Sequence, residues 1–221
     1  SVASRGSEMC IRDSLRPTNI GNNLPAYQRV NTATDYNTTD FPLYLKTNGT
    51  SSAMATNSIN FASTANMTMV TGVRKLSDAN TIGMICEFSP DAFNNNGSFA
   101  IGAPRASSLA NSFYFGAKGT TYRETTWDSF TTPSSRVMTA VANIVTPNME
   151  VRANGSSVAS SALSFGAVNF GTYSLYLFAR NQASLWFNGQ FYGAIICGAS
   201  RSTVQIQQAE AYINNKSGKL Y

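Results

Sequence analysis

The sequence predicts an all-β fold, a two-layer sandwich closed at its C-terminus by one short α-helix. Three observations predict it. Short runs that alternate apolar and polar residues recur along the chain, at the period of a half-buried strand; Met149, Val151 and Ala153 against Glu150 and Arg152 form the cleanest of them. Turn signals separate the runs, among them Asn48-Gly49, Asn154-Gly155 and Asn188-Gly189, pairs that tolerate the positive φ of a tight turn. The composition is 43% hydrophobic and only 12% charged, with Ser, Thr, Asn and Gly making up much of the rest, which suits many short strands joined by polar turns. A chain of 221 residues is the right size for one such domain.

In order, the runs read as follows. Leu43–Thr50 through Ile59–Phe61, with its turn signal at Asn48-Gly49, resembles the strand, turn and second strand that open laminin-G-like domains. Met67–Leu76 is a central strand. Ile82–Phe88 follows, with Ile82, Met84, Cys86 and Phe88 on one face and Ser89-Pro90 as its stop. Ser98–Ile101 and Ser112–Ala117 are short strands, the second with Phe113 and Phe115 inward. Arg136–Ile144 puts Met138, Ala140 and Ala142 opposite Val137, Thr139 and Val141. Asn148–Ala153 and Ser156–Ser161 should form a hairpin about Asn154-Gly155. Tyr173–Phe178 ends at Arg180-Asn181. Leu185-Trp186-Phe187 and Gln190-Phe191-Tyr192 flank Asn188-Gly189, which predicts a two-residue type I′ hairpin. Phe191–Cys197 is almost unbroken apolar sequence, as expected of a strand covered on both faces. That makes roughly ten to thirteen strands, a number that a two-layer jelly roll holds. Ser202-Thr203-Val204-Gln205 fits a capping box, after which Ile206, Ala209 and Ile213 share one helical face. Asn214, Asn215 and Gly218 stop the helix, and Lys216 and Lys219 suit its negative end.

The order of the last elements is similar to the C-terminal end of concanavalin A-like (laminin-G-like) jelly-roll domains of bacteriophage and prophage structural proteins. The residues concerned are Leu175–Arg180, then Phe187–Gly193, then the helix through Ala209-Glu210-Ala211-Tyr212 to Tyr221. The resemblance reaches back to about Leu43. It implies the sandwich fold and a virion module, either in the phage particle or as a prophage product in the bacterial cytoplasm before assembly. Its motifs specify no ligand. Residues 15–42 resemble the polar lead-in of such domains, especially Tyr27–Tyr36. Residues 1–14 resemble translated sequencing-adapter sequence found at the ends of proteins from metagenomic assemblies. They are set aside from fold reasoning, and Cys10 with them. The sandwich domain is then 43–221.

The formal charge of +5 comes from sixteen scattered Lys and Arg against eleven acids. No basic run exceeds Arg74-Lys75, so nucleic acid is not an expected partner. No apolar run approaches the roughly 20 residues that span a bilayer as a helix. There is no histidine, which removes the commonest general base and metal ligand. The three cysteines, Cys10, Cys86 and Cys197, lack metal-ligand spacing; Cys86 and Cys197 read as buried free thiols, with a disulfide between them the other reading. The relatives of laminin-G-like domains often carry acids after the first turn, where Ser51-Ser52 stand here. No cofactor and no metal site is expected.

Tyr122, Arg123, Glu124, Trp127 and Asp128 lie together in TYRETTWDSF. One reading is a sugar-binding rim of Tyr122, Arg123, Trp127 and Asp128, aromatic faces stacking on a pyranose while charged groups bond its hydroxyls. The other is a strand with Trp127 in the core and Arg123 and Glu124 solvated. Trp186 is a second candidate platform, equally suited to packing beside its turn. A retaining glycosidase needs two carboxyl groups about 5 Å apart. Glu124 and Asp128 are four apart and would share a strand face, but the third acid of the laminarinase-like Glu-x-Asp-x-x-Glu pattern is missing. The expectation is therefore a non-enzymatic module that binds bacterial surface glycans. A structural or assembly domain contacting other virion proteins is the near alternative, and a glycan hydrolase the distant one. Homo-oligomers are common among phage fibres, though nothing in this sequence specifies one.

Overall fold

The computed structural model describes residues 25–29, 42–78, 82–105 and 110–221. The expectations placed on 1–14, most of 15–42 and Cys10 lie outside them. Among the described residues, thirteen strands form two antiparallel sheets. They are β1 (Ala26–Arg29), β2 (Leu43–Lys46), β3 (Met54–Asn60), β4 (Asn66–Lys75), β5 (Met84–Phe88), β6 (Ser98–Gly102), β7 (Phe113–Lys118), β8 (Tyr122–Trp127), β9 (Ser134–Asn143), β10 (Asn148–Ala153), β11 (Ser156–Ser161), β12 (Thr172–Leu177) and β13 (Gly189–Cys197), followed by helix α1 (Thr203–Lys216). The seven-stranded sheet runs β1-β2-β13-β4-β9-β10-β11 and the six-stranded sheet β3-β12-β5-β6-β7-β8. Ala26–Arg29, expected only as lead-in, pairs with β2 as an edge strand.

The period-2 pattern sorts side chains as expected. Met67, Met69, Val73, Met138, Ala140, Ala142, Met149 and Val151 of one sheet meet Phe88, Phe99, Ile101, Phe113, Phe115, Leu175 and Leu177 of the other in one core. Fully burying a side chain of that size contributes about 1.5–3 kcal/mol. Phe88 lies against Phe61, Phe99 and Tyr173 with ring centroids 5.1 to 5.5 Å apart. Cys86 and Cys197 are buried thiols with no disulfide between them.

Two expected hairpins are corrected. β2 and β3 lie in different sheets, so Asn48-Gly49 turns a crossover. The Asn48 carboxamide oxygen accepts from the amides of Thr50, Ser51 and Ser52, which holds the bend without a strand pair. At Asn188-Gly189 there is likewise no type I′ hairpin: the chain leaves β12 in the six-stranded sheet and enters β13 in the seven-stranded one. Leu185, at φ 54°, packs against Met84, Ala100 and Tyr114 of the six-stranded sheet, its carbonyl accepting from the Met84 amide at 2.8 Å, and Trp186 makes one bridge to Met84. A Cβ on Gly189 would stand 2.4 Å from the Arg74 carbonyl oxygen, so close backbone approach requires the glycine there. Asn154-Gly155 does join β10 to β11, with φ of 47° and 81°.

The face assignments of Ile82 and Met84 also change. A bulge between Met84 and Cys86 takes Met84 out of the row with Cys86 and Phe88. Met84 packs outside, with Ala92, Ala100, Tyr114 and Ile82. The helix has its capping box: the Ser202 side chain accepts from the Gln205 amide and the Gln205 side chain accepts from the Ser202 amide. Ile213 seats on Val70 and Val137, with Ala209 alongside, on the outer side of the seven-stranded sheet.

Candidate functional site

Strand alternation divides the expected rim. β8 is an edge strand whose register on β7 is Phe113↔Trp127 and Lys118↔Tyr122. Trp127 therefore shares Phe113's inward side and packs on the core, its ring stacked on Phe130 at 6.2 Å and 20°. Tyr122 stands on the outer side at the other end, roughly 17 Å away along the strand. Its ring meets Phe93 edge-on at 4.8 Å, and its hydroxyl donates to Glu124 Oε2 at 3.1 Å. Arg123 Nε donates to the Ser164 carbonyl at 2.9 Å, pinning the β11–β12 loop along the edge. Asp128 follows the strand and is exposed, so Glu124 and Asp128 do not share a strand face. The residues adjacent in sequence are thus not brought to one point.

Trp127 and Trp186 nevertheless emerge at the same end of the sandwich. The registers Met84↔Gly102, Gly102↔Tyr114 and Tyr114↔Thr126, with the bridge Met84↔Trp186, make one row across the six-stranded sheet. Four steps of strand spacing put Trp186 about 19 Å from the Thr126–Trp127 end of the row. Both indoles are half-buried. At this end Lys75 lies fully buried, its Nζ donating to the Ala110 carbonyl at 2.7 Å and pairing with Asp78, 5.3 Å above the Phe130 ring. Burial pushes the Lys75 ammonium below its ordinary value against the pull of Asp78. For the Asp78 carboxyl burial acts upward, but the bonds from Lys75 and Thr132 outweigh it and hold it low.

The charged cluster that the sequence did not reveal lies on the outer face of the six-stranded sheet. Glu87, on β5, is fully buried, and both of its oxygens accept from the Arg180 guanidinium at 2.8 to 3.1 Å. Glu87 Oε1 also accepts from the Ala92 amide at 2.7 Å. Arg180 reaches Asp91 at 3.2 Å and covers the Phe93 ring at 4.1 Å. Arg105 stands 5.5 Å from the same ring and takes Glu124 through Nε at 2.8 and 3.0 Å. These bonds hold the loop from Ser89 to Gly97 on the sheet. Burial keeps the Glu87 carboxyl above the usual carboxylate range despite Arg180, and it raises the Tyr114 and Tyr122 phenols strongly. Each carboxylate is tied to a guanidinium, an arrangement that fixes a loop and leaves neither oxygen pair free for proton transfer. The sequence held one signal: Glu87 interrupts an apolar run, and a buried acid needs a cation.

A third feature is a groove of about 270 Å³ beside the helix, lined by Val70, Ile195, Ile206, Ala209, Cys197 and Arg201 among others. Arg201 donates to Cys197 Sγ through Nε at 3.2 Å and Nη2 at 2.5 Å. Among the described residues, no group of three or more Cys, Asp or Glu side chains could hold a metal ion, and no helix is long and apolar enough to cross a membrane.

No protein-family model matches the chain, and no curated protein matches its sequence. Solved structures do match its fold. One is the CBM40 domain of the Ruminococcus gnavus IT-sialidase, bound to α2,3-sialyllactose, with TM-score 0.51 and 12% identity over 70% of this chain and 97% of that one. Another is the binding domain of botulinum neurotoxin DC in complex with rat synaptotagmin II, with TM-score 0.59 and 12% identity over 86% of this chain and 46% of that one. This chain thus spans about half of the toxin domain. A third is the SAP-like pentraxin of Limulus polyphemus, with TM-score 0.51 and 12% identity over 70% and 73%. At such identity the likeness establishes the fold: a concanavalin A-like jelly-roll sandwich with one short C-terminal helix.

Proposed function

We propose that this chain is a non-catalytic glycan-binding module of a bacteriophage or prophage virion. It would be a domain of a tail-fibre, baseplate or head-decoration protein, directed at bacterial surface polysaccharide. The observation that carries the reading is the pair of half-buried tryptophans, the chain's only two, at the same end of the sandwich, Trp186 beginning the row that ends at Thr126 and Trp127 next to that end. Partly exposed indoles offer apolar faces for sugar rings, and a span of about 19 Å suits an extended chain better than a single ring. Trp186, Trp127 and Asp128 make up this binding end. Tyr122 and Arg123 support it from a distance, by fixing the β5–β6 and β11–β12 loops. Similarity to sialyllactose-bound and receptor-binding sandwiches supports the reading at the level of fold.

One observation favours the near alternative, a structural or assembly domain of the virion: Trp127 packs on Phe130 and the core, so its face is partly spent. The full chain mixed with purified bacterial surface polysaccharides and run on size-exclusion chromatography separates the two. Co-elution with polymer of unchanged length, lost in Trp186→Ala, is the expected result. Separate elution from every polymer, with self-association, would favour the assembly role. Shortened polymer would mean catalysis.

A further inference from the structure

Charge is unevenly distributed along this chain. No charged residue occurs in the 27 positions between Lys46 and Arg74, nor in the 27 between Arg152 and Arg180. The first block contains β3 and the second contains β12, and these strands pair with each other at one edge of the six-stranded sheet. The fold therefore gathers two distant neutral blocks into one surface.

Register shows what that surface presents. Leu177, Met54, Tyr173, Ile59 and Leu175 face the core. The alternating pairs Thr172↔Asn60, Ser174↔Ser58 and Tyr176↔Ala55 stand on the outer face. Ser58, Asn60 and Thr172 are exposed, and Tyr176 is half-buried. On the far side Tyr176 lies opposite Glu87 of β5, where the floor ends against the loop clamped by Glu87, Arg180 and Asp91. The result is a step. Its floor is small hydroxyl and amide side chains, its corner is an aromatic ring, and its wall carries the partly exposed Asp91.

We propose that this ledge is a second saccharide-binding surface, selective for uncharged glycans. Tyr176 would stack on a sugar ring, while Ser174, Ser58, Thr172 and Asn60 exchange hydrogen bonds with hydroxyls. An acidic sugar finds no cation on the floor to offset the loss of its hydration. A second copy of this chain is disfavoured as the occupant, because the β3 edge is blunted for sheet extension. A bulge lies between the pairs at Ser58 and Ala55, and Thr56 Oγ1, in place of a backbone carbonyl, accepts from the Leu175 amide at 3.0 Å.

The proposal deepens the glycan reading and rests on it for ligand chemistry, but it uses a different surface. The test is affinity electrophoresis of the full chain through gels containing dextran, mannan or galactan, set against alginate and hyaluronate. A neutral polymer should retard the protein more than either acidic one. Tyr176→Ala should weaken that retardation at least tenfold with the melting temperature nearly unchanged. Ser58→Lys, a surface change that leaves the ring in place, should weaken neutral binding and strengthen acidic binding. Stronger retardation by the acidic polymers would overturn the proposal. So would retardation unaffected by Tyr176→Ala and Ser58→Lys but abolished by Trp186→Ala, which would leave the tryptophan site standing alone. Retardation by no polymer would remove both. Dimeric elution converted to monomer by Ser58→Lys would assign the ledge to a second copy instead.

Discussion

The two outer faces of the sandwich solve one problem in different ways. Each buries a glutamate against an arginine. On the seven-stranded sheet Glu210 of α1 accepts from Arg152 Nε and from Thr139 Oγ1, both at 2.8 Å. Around it Val70, Val137, Ile195 and Ile213 seal the helix down. On the six-stranded sheet Glu87 and Arg180 hold an irregular loop whose only large apolar anchor is Phe93, gripped by guanidinium groups and the edge of Tyr122. A helix satisfies its own backbone and brings an apolar stripe, so its ion pair supplements hydrophobic burial. A loop does neither, so its charges do most of the holding. The lesson is that ion pairs of similar geometry differ in importance according to what else fastens the element they touch.

That comparison can be broken deliberately. Arg180→Met should have the largest effect, because it leaves Glu87 buried without its cation, a loss of about 3–5 kcal/mol measurable by urea denaturation, with new protease cleavage within 89–97. Glu210→Gln should cost less, about 2 kcal/mol, since the apolar seat of the helix persists; equal losses from the two variants would contradict the distinction. Ser202→Ala should cost about 1 kcal/mol, through the cap alone. The pH response is smaller and differs in sign between sites. Asp78 is held low in the folded chain, so its contribution is present above its unfolded value near 4 and disappears as pH falls through the folded value. Glu87 is held high, so its ionisation works against folding as pH rises past about 4.3. Asp78→Asn should flatten the acid arm of the stability curve, and Glu87→Gln should remove a decline on the alkaline side of it. In native alkylation mapped by mass spectrometry, Cys86, whose thiol burial pushes far up, and Cys197, buried as well, should both react only after unfolding.

Strand positions were legible because a period of two survives in Met67–Lys75, Arg136–Asn143 and Asn148–Ala153 whatever the tertiary context. The capping box was legible because it is wholly local. Sheet membership was not. Asn188-Gly189 and Asn154-Gly155 are the same dipeptide, yet one ends a crossover between sheets and the other makes a hairpin, because the difference lies in partners more than a hundred residues away. The TYRETTWDSF cluster misled for a related reason: alternation sends Tyr122 and Trp127 to opposite faces, and strand length sends them to opposite ends. The bulge at Met84 put Met84 and the preceding Ile82 on the other side of the sheet, a shift no pattern announces. The clamp on Glu87 needed Arg180, whose position after β12 read only as the end of a strand.

The pairing of β3 with β12 alone has a consequence for biosynthesis. The partners stand well over a hundred residues apart, and the central strand β4 waits about as long for β13. At a ribosomal rate of about 5–20 residues per second, the first strands emerge many seconds before the sequence that completes their sheets. During that interval a neutral, Ser- and Asn-rich nascent segment has no charge repulsion to keep neighbouring chains apart. Shielding of the early strands, by chaperones or by low expression temperature, should therefore govern the yield of this protein more than the stability of its finished sandwich does.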